Sequence, residues 1–264
     1  MLLLSGRLSP RIDGVQSLAA RREGLLHGQQ PFDLEQLGVE VKQLLEGELA
    51  DACRQIKRGI VNNARAMNTK GRWGNLIFVT SAVPNEGKTF NAVNLALSVA
   101  MEQDHRALLV DADVVRPIIS EATGLTDSAG WVEALIDGKS SVEEFTYHTA
   151  LETLDFLPAG GPYGRMAELL SSENAKSFFD RLASQNENRI IILDGPPLLA
   201  ASEAAALAEI ADQVLVVVER GRTPRSVVQE ALQRVANCKH VGLILNRAAQ
   251  SQGKHYYKRN PRGQ

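Results

Sequence analysis

Cysteine is nearly missing from this chain. Cys53 and Cys238 are the only two in 264 residues, and neither belongs to a CxxC or Cys/His spacing. That excludes a disulfide scaffold and a cysteine-based zinc site, and it predicts reduced thiols in bland helical positions. Long apolar runs are also missing: no stretch approaches the roughly 18 residues that a membrane span needs. Met1-Leu2-Leu3-Leu4 is too short for the apolar core of a secretion signal, and Arg7 follows it closely. A cytoplasmic chain is predicted. A large net charge is the third absence. The balance of −2 gives no global pull toward nucleic acid or acidic lipid.

What is present is an ordinary globular composition, 44% hydrophobic and 23% charged. The length suits one domain of about 200 residues with extensions, or two small ones. Residues 1–40 are polar, with scattered Gly, Pro, Arg and Gln and no sustained period, which predicts a flexible segment. From Val41 to about Met67 apolar residues recur at helical spacing (Val41, Leu44, Leu45, Leu49, Cys53, Ile56, Ile60, Val61), and Arg54, Lys57, Arg58 and Arg65 supply a solvated basic face. Strands and helices then alternate to residue 247. Strands are expected at Leu76–Thr80, Ala107–Asp111, Leu154–Leu157, Ile190–Leu193, Val214–Val218 and Val241–Leu245. Helices are expected at Lys88–Met101, Pro117–Thr123, Trp131–Ile136, Glu173–Gln185, Glu203–Ile210 and Pro224–Val235, the last with Thr223 as N-cap. Continuous β-branched runs read as strands buried on both faces of a parallel sheet. The fold expected is therefore α/β: a doubly wound, mainly parallel sheet with helices on both faces and ligands at the carboxyl ends of its strands. Residues 248–264 are polar and basic, a mobile tail by this reading.

The first strand ends in Ser81-Ala82-Val83-Pro84-Asn85-Glu86-Gly87-Lys88-Thr89-Phe90, where Gly-Lys-Thr opens a helix. This is the layout of a phosphate-binding P-loop. Successive backbone N–H groups and a helix N-terminus make an anion site. Lys88 adds a point charge for the β- and γ-phosphates of ATP, and the Thr89 hydroxyl can ligate Mg²⁺. Residues 84–90 are the expected nucleotide cradle. Ala82 takes the place of the consensus first glycine, a mild change if its φ is negative.

Two further strand ends carry carboxylates. Asp111-Ala112-Asp113 follows one apolar run, and side chains two apart share a face of an extended strand, so both could point at the phosphate end. Two carboxylates there call for a shared cation, with one in the metal shell and the other accepting a proton. Asp194-Gly195-Pro196-Pro197 follows Ile190–Leu193, the Walker B pattern, whose Asp reaches Mg²⁺. Metal contacts are thus expected from Thr89, Asp113 and Asp194, and catalytic roles from Lys88, Asp111 and Asp113. Asn246-Arg247 closes the last strand, where an amide could bond a purine edge or simply cap the strand.

Together these motifs resemble the bacterial tyrosine kinase family, within the P-loop ATPases of MinD and ParA type. The stretch Ser81–Thr89 is similar to the family's Pro-Gly-Glu-Gly-Lys-Ser/Thr loop, with Asn85 in place of a Gly; Leu108–Asp113 resembles its Asp-x-Asp motif; Leu157-Pro-Ala-Gly-Gly-Pro and Glu168-Leu-Leu resemble a later loop and helix; and Asp194-Gly-Pro-Pro resembles its Asp-Ser-Pro-Pro. Partition ATPases carry a signature lysine where this chain has Val83. The likeness spans about residues 45–247 and is nearest the exosortase- and exopolysaccharide-associated subgroup. It implies an ATP- and Mg²⁺-dependent protein-tyrosine autokinase that regulates exopolysaccharide synthesis and export. It also implies a separate transmembrane co-polymerase, or chain-length determinant, as activator, peripheral placement at the inner membrane through that partner, self-association and a cognate tyrosine phosphatase, with no nucleic-acid partner. Of the family's Glu-Tyr-Arg oligomerisation motif only Arg54 is kept. Its tyrosine cluster corresponds to Tyr256-Tyr257, the implied phosphate acceptors. The rival readings are a partition-type ATPase switch and a non-catalytic ATP-binding scaffold of an export complex.

Overall fold

A computed structural model describes residues 48–68, 73–186 and 188–247. The expected head (1–40), the helix residues Val41, Leu44 and Leu45, and the tail with Tyr256 and Tyr257 lie outside the described residues. Helix α1 (Glu48–Asn68) leads into β1 (Leu76–Ser81), α2 (Lys88–Ala100) and β2 (Arg106–Asp111). Two short helices follow, α3 (Ile118–Ala122) and α4 (Trp131–Asp137), then a hairpin of β3 (Tyr147–His148) with β4 (Leu154–Leu157). The chain continues through α5 (Met166–Leu170), α6 (Glu173–Ser184), β5 (Arg189–Asp194), α7 (Ser202–Ile210), β6 (Gln213–Glu219), α8 (Arg225–Arg234) and β7 (Val241–Asn246).

The strands form one sheet in the order β3-β4-β2-β5-β1-β6-β7. Every pairing is parallel except β3 with β4, where Tyr147 faces Phe156. All six residues of β1 and of β5 are buried, as a strand covered on both faces requires. One face packs Phe78, Leu108, Val110 and Leu193 under α4 to α8; the other packs Ile77, Val79, Leu109 and Ile192 under α1 to α3. This is the expected doubly wound sheet. Because β1 lies between β5 and β6, its carboxyl end opens at the crossing point of the connections, beside the end of β5, with the end of β2 next beyond it.

Four expectations need correcting. β7 is not buried on both faces: it is an edge strand, with Leu243 57% and Leu245 58% exposed. An apolar run fits a covered strand and an edge strand alike, and only the neighbours decide. Lys57 is not on a solvated face. It is buried where α1 crosses the end of α2, its Nζ 3.1 Å from Ser98 O and 2.7 Å from Glu102 Oε1. Thr223 does not cap α8; the N-cap is Pro224, and the Thr223 hydroxyl donates to Glu86 Oε1 instead. Cys53 lies in α1 as expected, but Cys238 sits in the loop before β7 and its Sγ donates to Ala208 O at 3.0 Å. Burial pushes both thiols up. Among the described residues, no helix is long and apolar enough to cross a membrane.

Candidate active site

The loop after β1 holds two left-handed residues, Asn85 at φ 70° and Gly87 at φ 91°. Asparagine tolerates that region; Gly87 has a second constraint, because a Cβ there would collide with the Asn246 amide. Ala82 is buried and outside the left-handed region, so its methyl imposes no strain. The turn delivers Lys88 as the first residue of α2, a helix of 13 residues whose N-terminus favours an anion.

Lys88 draws the strand ends together. Its Nζ is 3.1 Å from Asp113 Oδ2 and 3.6 Å from Asp194 Oδ1, and it donates to Thr89 Oγ1 at 3.5 Å. Burial pulls the ammonium's pKa down, but the Asp194 and Asp113 carboxylates outweigh it and hold it above the usual lysine value. Asp194 is buried on β5, in register with Asp111 on β2. Burial raises the Asp194 pKa against the pull of Lys88.

Asp111 and Asp113 part company. The strand ends at Asp111, so the shared extended face expected for the pair does not form. Asp111 Oδ2 accepts from the N–H and hydroxyl of Ser120 at 2.8 and 2.9 Å, whereas Asp113 turns to Lys88 and to the Arg116 N–H. Burial, with the Asp194 charge beside it, pushes the Asp111 pKa up to about 8 against the two Ser120 bonds.

Behind Gly195 a side chain would strike the Phe78 ring, and Thr80 Oγ1 donates to Pro196 O at 2.7 Å. The Asp-Gly-Pro-Pro loop is thereby laced to the end of β1. Pro84 and Asn85 line the rim, and Phe90 is 46% exposed. Asn246 Nδ2 donates to Glu86 O at 2.8 Å, and Arg247, at φ 53°, binds Glu219 Oε1 at 2.8 Å. Arg54 is remote from this cluster in sequence and element; its Nη2 pairs with Asp51 on the same helix at 2.6 Å.

Ser120, Trp131 and Glu133 were missed. Trp131 Nε1 donates to Asp111 O at 2.9 Å, and the Glu133 carboxylate receives Gly130 N and Gly161 N at 2.8 and 2.9 Å, fixing the loop after β4. The Ser120 hydroxyl also receives Ala159 N at 3.2 Å. None of these residues belongs to a motif; each is recruited from a distant segment, and only the tight Ala159-Gly160-Gly161 run hinted at a crowded approach.

The residues fit a magnesium nucleotide. Asp194 Oδ1 is buried without a hydrogen-bond partner, a polar atom ready for a cation or its water. Among the described residues no three His, Cys, Asp or Glu side chains converge into a metal cage.

A left-handed phosphate loop at a sheet crossing point, with a buried lysine and strand-end carboxylates, defines a P-loop ATPase-type nucleotide-binding protein. The AAA domain profile matches residues 77–245. The chain is 34% identical over 173 residues to the tyrosine-protein kinase YwqD of Bacillus subtilis, covering 64% of this chain and 71% of that one. It is also 34% identical over 189 residues to the succinoglycan biosynthesis transport protein ExoP of Rhizobium meliloti, covering 67% of this chain but only 23% of ExoP. The crystal structure of the VpsO kinase domain superposes with a TM-score of 0.58 at 35% identity, over 66% of this chain and 84% of that one. The chain belongs to the bacterial tyrosine kinase family and carries its kinase domain.

Proposed function

We propose that the chain is an ATP-dependent protein-tyrosine autokinase acting in exopolysaccharide synthesis and export. The observation that carries this reading is Lys88 Nζ at 3.1 Å from Asp113 and 3.6 Å from Asp194, three motif residues from three strand ends meeting at one helix N-terminus. Relatives named as a tyrosine-protein kinase and as a succinoglycan transport protein support the activity and the setting.

In this reading the N–H groups of residues 84–90 and the Lys88 ammonium hold the phosphates of ATP. Thr89 and Asp194, with Asp113, would hold Mg²⁺, which supplies charge neutralisation on the phosphate oxygens when bound. Asp113 orients Lys88. One of Asp111 and Asp113 would accept the tyrosine proton; Asp111, with its buried, unpartnered Oδ1, must first give up the proton that burial favours on it. Asn246 and Arg247 border the base side of the cradle. Tyr256 and Tyr257 are the acceptors, presented by the basic tail of a neighbouring copy, and Arg54 contributes to self-association.

The activator would be a transmembrane polysaccharide co-polymerase that brings the kinase to the inner face of the membrane, and a cognate phosphatase would reverse the reaction. Incubation with labelled ATP, Mg²⁺ and the activator's cytoplasmic segment, followed by phosphotyrosine mapping, tests the proposal. Phosphate on Tyr256 and Tyr257 is expected. ATP hydrolysis without phosphotyrosine would leave an ATPase switch, and binding without turnover a scaffold.

A further inference from the structure

Glu86 is an anion inside a loop whose business is to bind anions. A carboxylate facing the phosphates would repel them, and a buried unpaired one would be costly. The structure resolves the conflict by burying the side chain among hydrogen-bond donors. Glu86 is 1% exposed and its oxygens are spent on three donors. Oε2 accepts the Val83 N–H at 2.7 Å, three residues back within the same loop. Oε1 accepts the Glu219 N–H at 3.0 Å, at the end of β6, and the Thr223 hydroxyl on the connection from β6 to α8. Its own carbonyl accepts the Asn246 amide at the end of β7, 2.8 Å away.

Glu86 therefore stands at the centre of contacts joining the phosphate loop to two other strand ends. Its neighbours Asn85 and Gly87 are the loop's two left-handed residues. That local conformation is one the backbone visits but does not keep unaided, and it turns successive N–H groups to one side. Fixing Val83 N–H from one carboxylate oxygen and the β6–α8 connection from the other holds the turn from both directions. Glu219 extends the set, since its side chain binds Arg247 at 2.8 Å and Arg222 at 3.2 Å.

We infer that Glu86 is a positioning residue: its buried carboxylate clamps the phosphate loop to the end of β6 through Glu219 and to the β6–α8 connection through Thr223, so that the loop's N–H groups are aligned before nucleotide arrives. The inference rests on the nucleotide-site reading above. It assigns Glu86 to the shape of the site through its side chain, while its backbone N–H stays with the cradle. Pre-aligned donors bind more tightly because the ordering cost falls on folding rather than on binding.

Two variants test it. Glu86→Gln keeps the size but sets an NH₂ against donors, so one side of the clamp must open. Thr223→Val deletes the hydroxyl at constant shape and leaves the loop sequence intact. Calorimetric titration with Mg·ATP and with ADP should show Glu86→Gln binding both about tenfold more weakly, the size expected when one charged hydrogen bond is lost. Thr223→Val should shift in the same direction by less, and the double variant should bind no worse than Glu86→Gln alone, because both remove one device. Hydrogen exchange on the ligand-free protein should show faster exchange at the Val83 and Glu219 amides in Glu86→Gln. A lowered Tm with parental nucleotide affinity and parental exchange in the loop would mean that Glu86 is only a fold-stabilising residue, and would overturn the inference. Parental affinity in Thr223→Val would overturn the link through the β6–α8 connection, even if Glu86→Gln fails to fold. A parent protein that binds neither nucleotide would overturn the site reading along with this one.

Discussion

Asp111 and Asp194 stand in register on adjacent parallel strands, and the Lys88 ammonium lies 3.6 Å from Asp194 while Asp111 is bonded to Ser120. Two buried carboxylates side by side cannot both ionise cheaply. The proton falls to Asp111, with a pKa of about 8 against an ordinary 3.8. Across that window the folded protein binds a proton that the unfolded chain has released, so stability falls as pH rises from about 4 to 8. Asp111→Asn should remove this slope. Thermal melts from pH 5 to 8 without nucleotide check it: the parent should lose Tm with rising pH while the variant stays nearly level, and parallel curves would contradict the assignment.

Lys88→Met should abolish nucleotide binding, because the loop keeps its N–H groups but loses its point charge. It also leaves Asp113 and Asp194 without their cation, and removing one partner of a buried pair costs roughly 3–5 kcal/mol. The variant should therefore be less stable than the parent, and least so in acid, where the carboxylates can take up protons. Calorimetry with Mg·ATP decides; unchanged affinity would remove Lys88 from the site.

Asp194→Asn keeps the shape beside Lys88 and removes the charge that would face the metal. Nucleotide affinity measured with Mg²⁺ should drop, while affinity measured in EDTA should change little. An equal loss in both conditions would take Asp194 out of the metal shell.

Tyr256→Phe with Tyr257→Phe should eliminate autophosphorylation and leave ATP binding at the parental value. Of the two other tyrosines, Tyr147 is buried in β3, whereas Tyr163 is 40% exposed. Mass spectrometry that finds phosphate on Tyr163 in the double variant would move the acceptor to the β4–α5 connection.

Arg54→Ala should lower the population of oligomers in sedimentation runs and leave nucleotide affinity alone. Arg54 is partly exposed and held by Asp51 at 2.6 Å, so it is available at the surface of α1 without supporting the core. A parent that stays monomeric with and without nucleotide would require a different role for it.

Apart from the two-residue β3, the order of strands and helices, the phosphate loop and the three carboxylates were legible because each depends on neighbours in sequence. Alternation sets which residues share a face, β-branched runs form strands, and Gly-Lys-Thr after a strand puts a lysine at a helix N-terminus. What each carboxylate does was not legible. Asp111 and Asp113 read as twins two residues apart, and they diverge because Ser120 comes in beside one and Lys88 beside the other. Glu86 read as one more cradle residue, yet its partners Glu219 and Thr223 lie more than a hundred positions away. Lys57 read as solvated until α2 covered it, and β7 read as buried until it proved, among the described residues, to have β6 as its one strand neighbour. By itself the sequence determined the fold class, the ligand type and the residues that carry charge. The tertiary structure decided which of those charges are paired, protonated or turned into clamps, because burial and contact between distant segments set the energy of a charge and no local pattern records them.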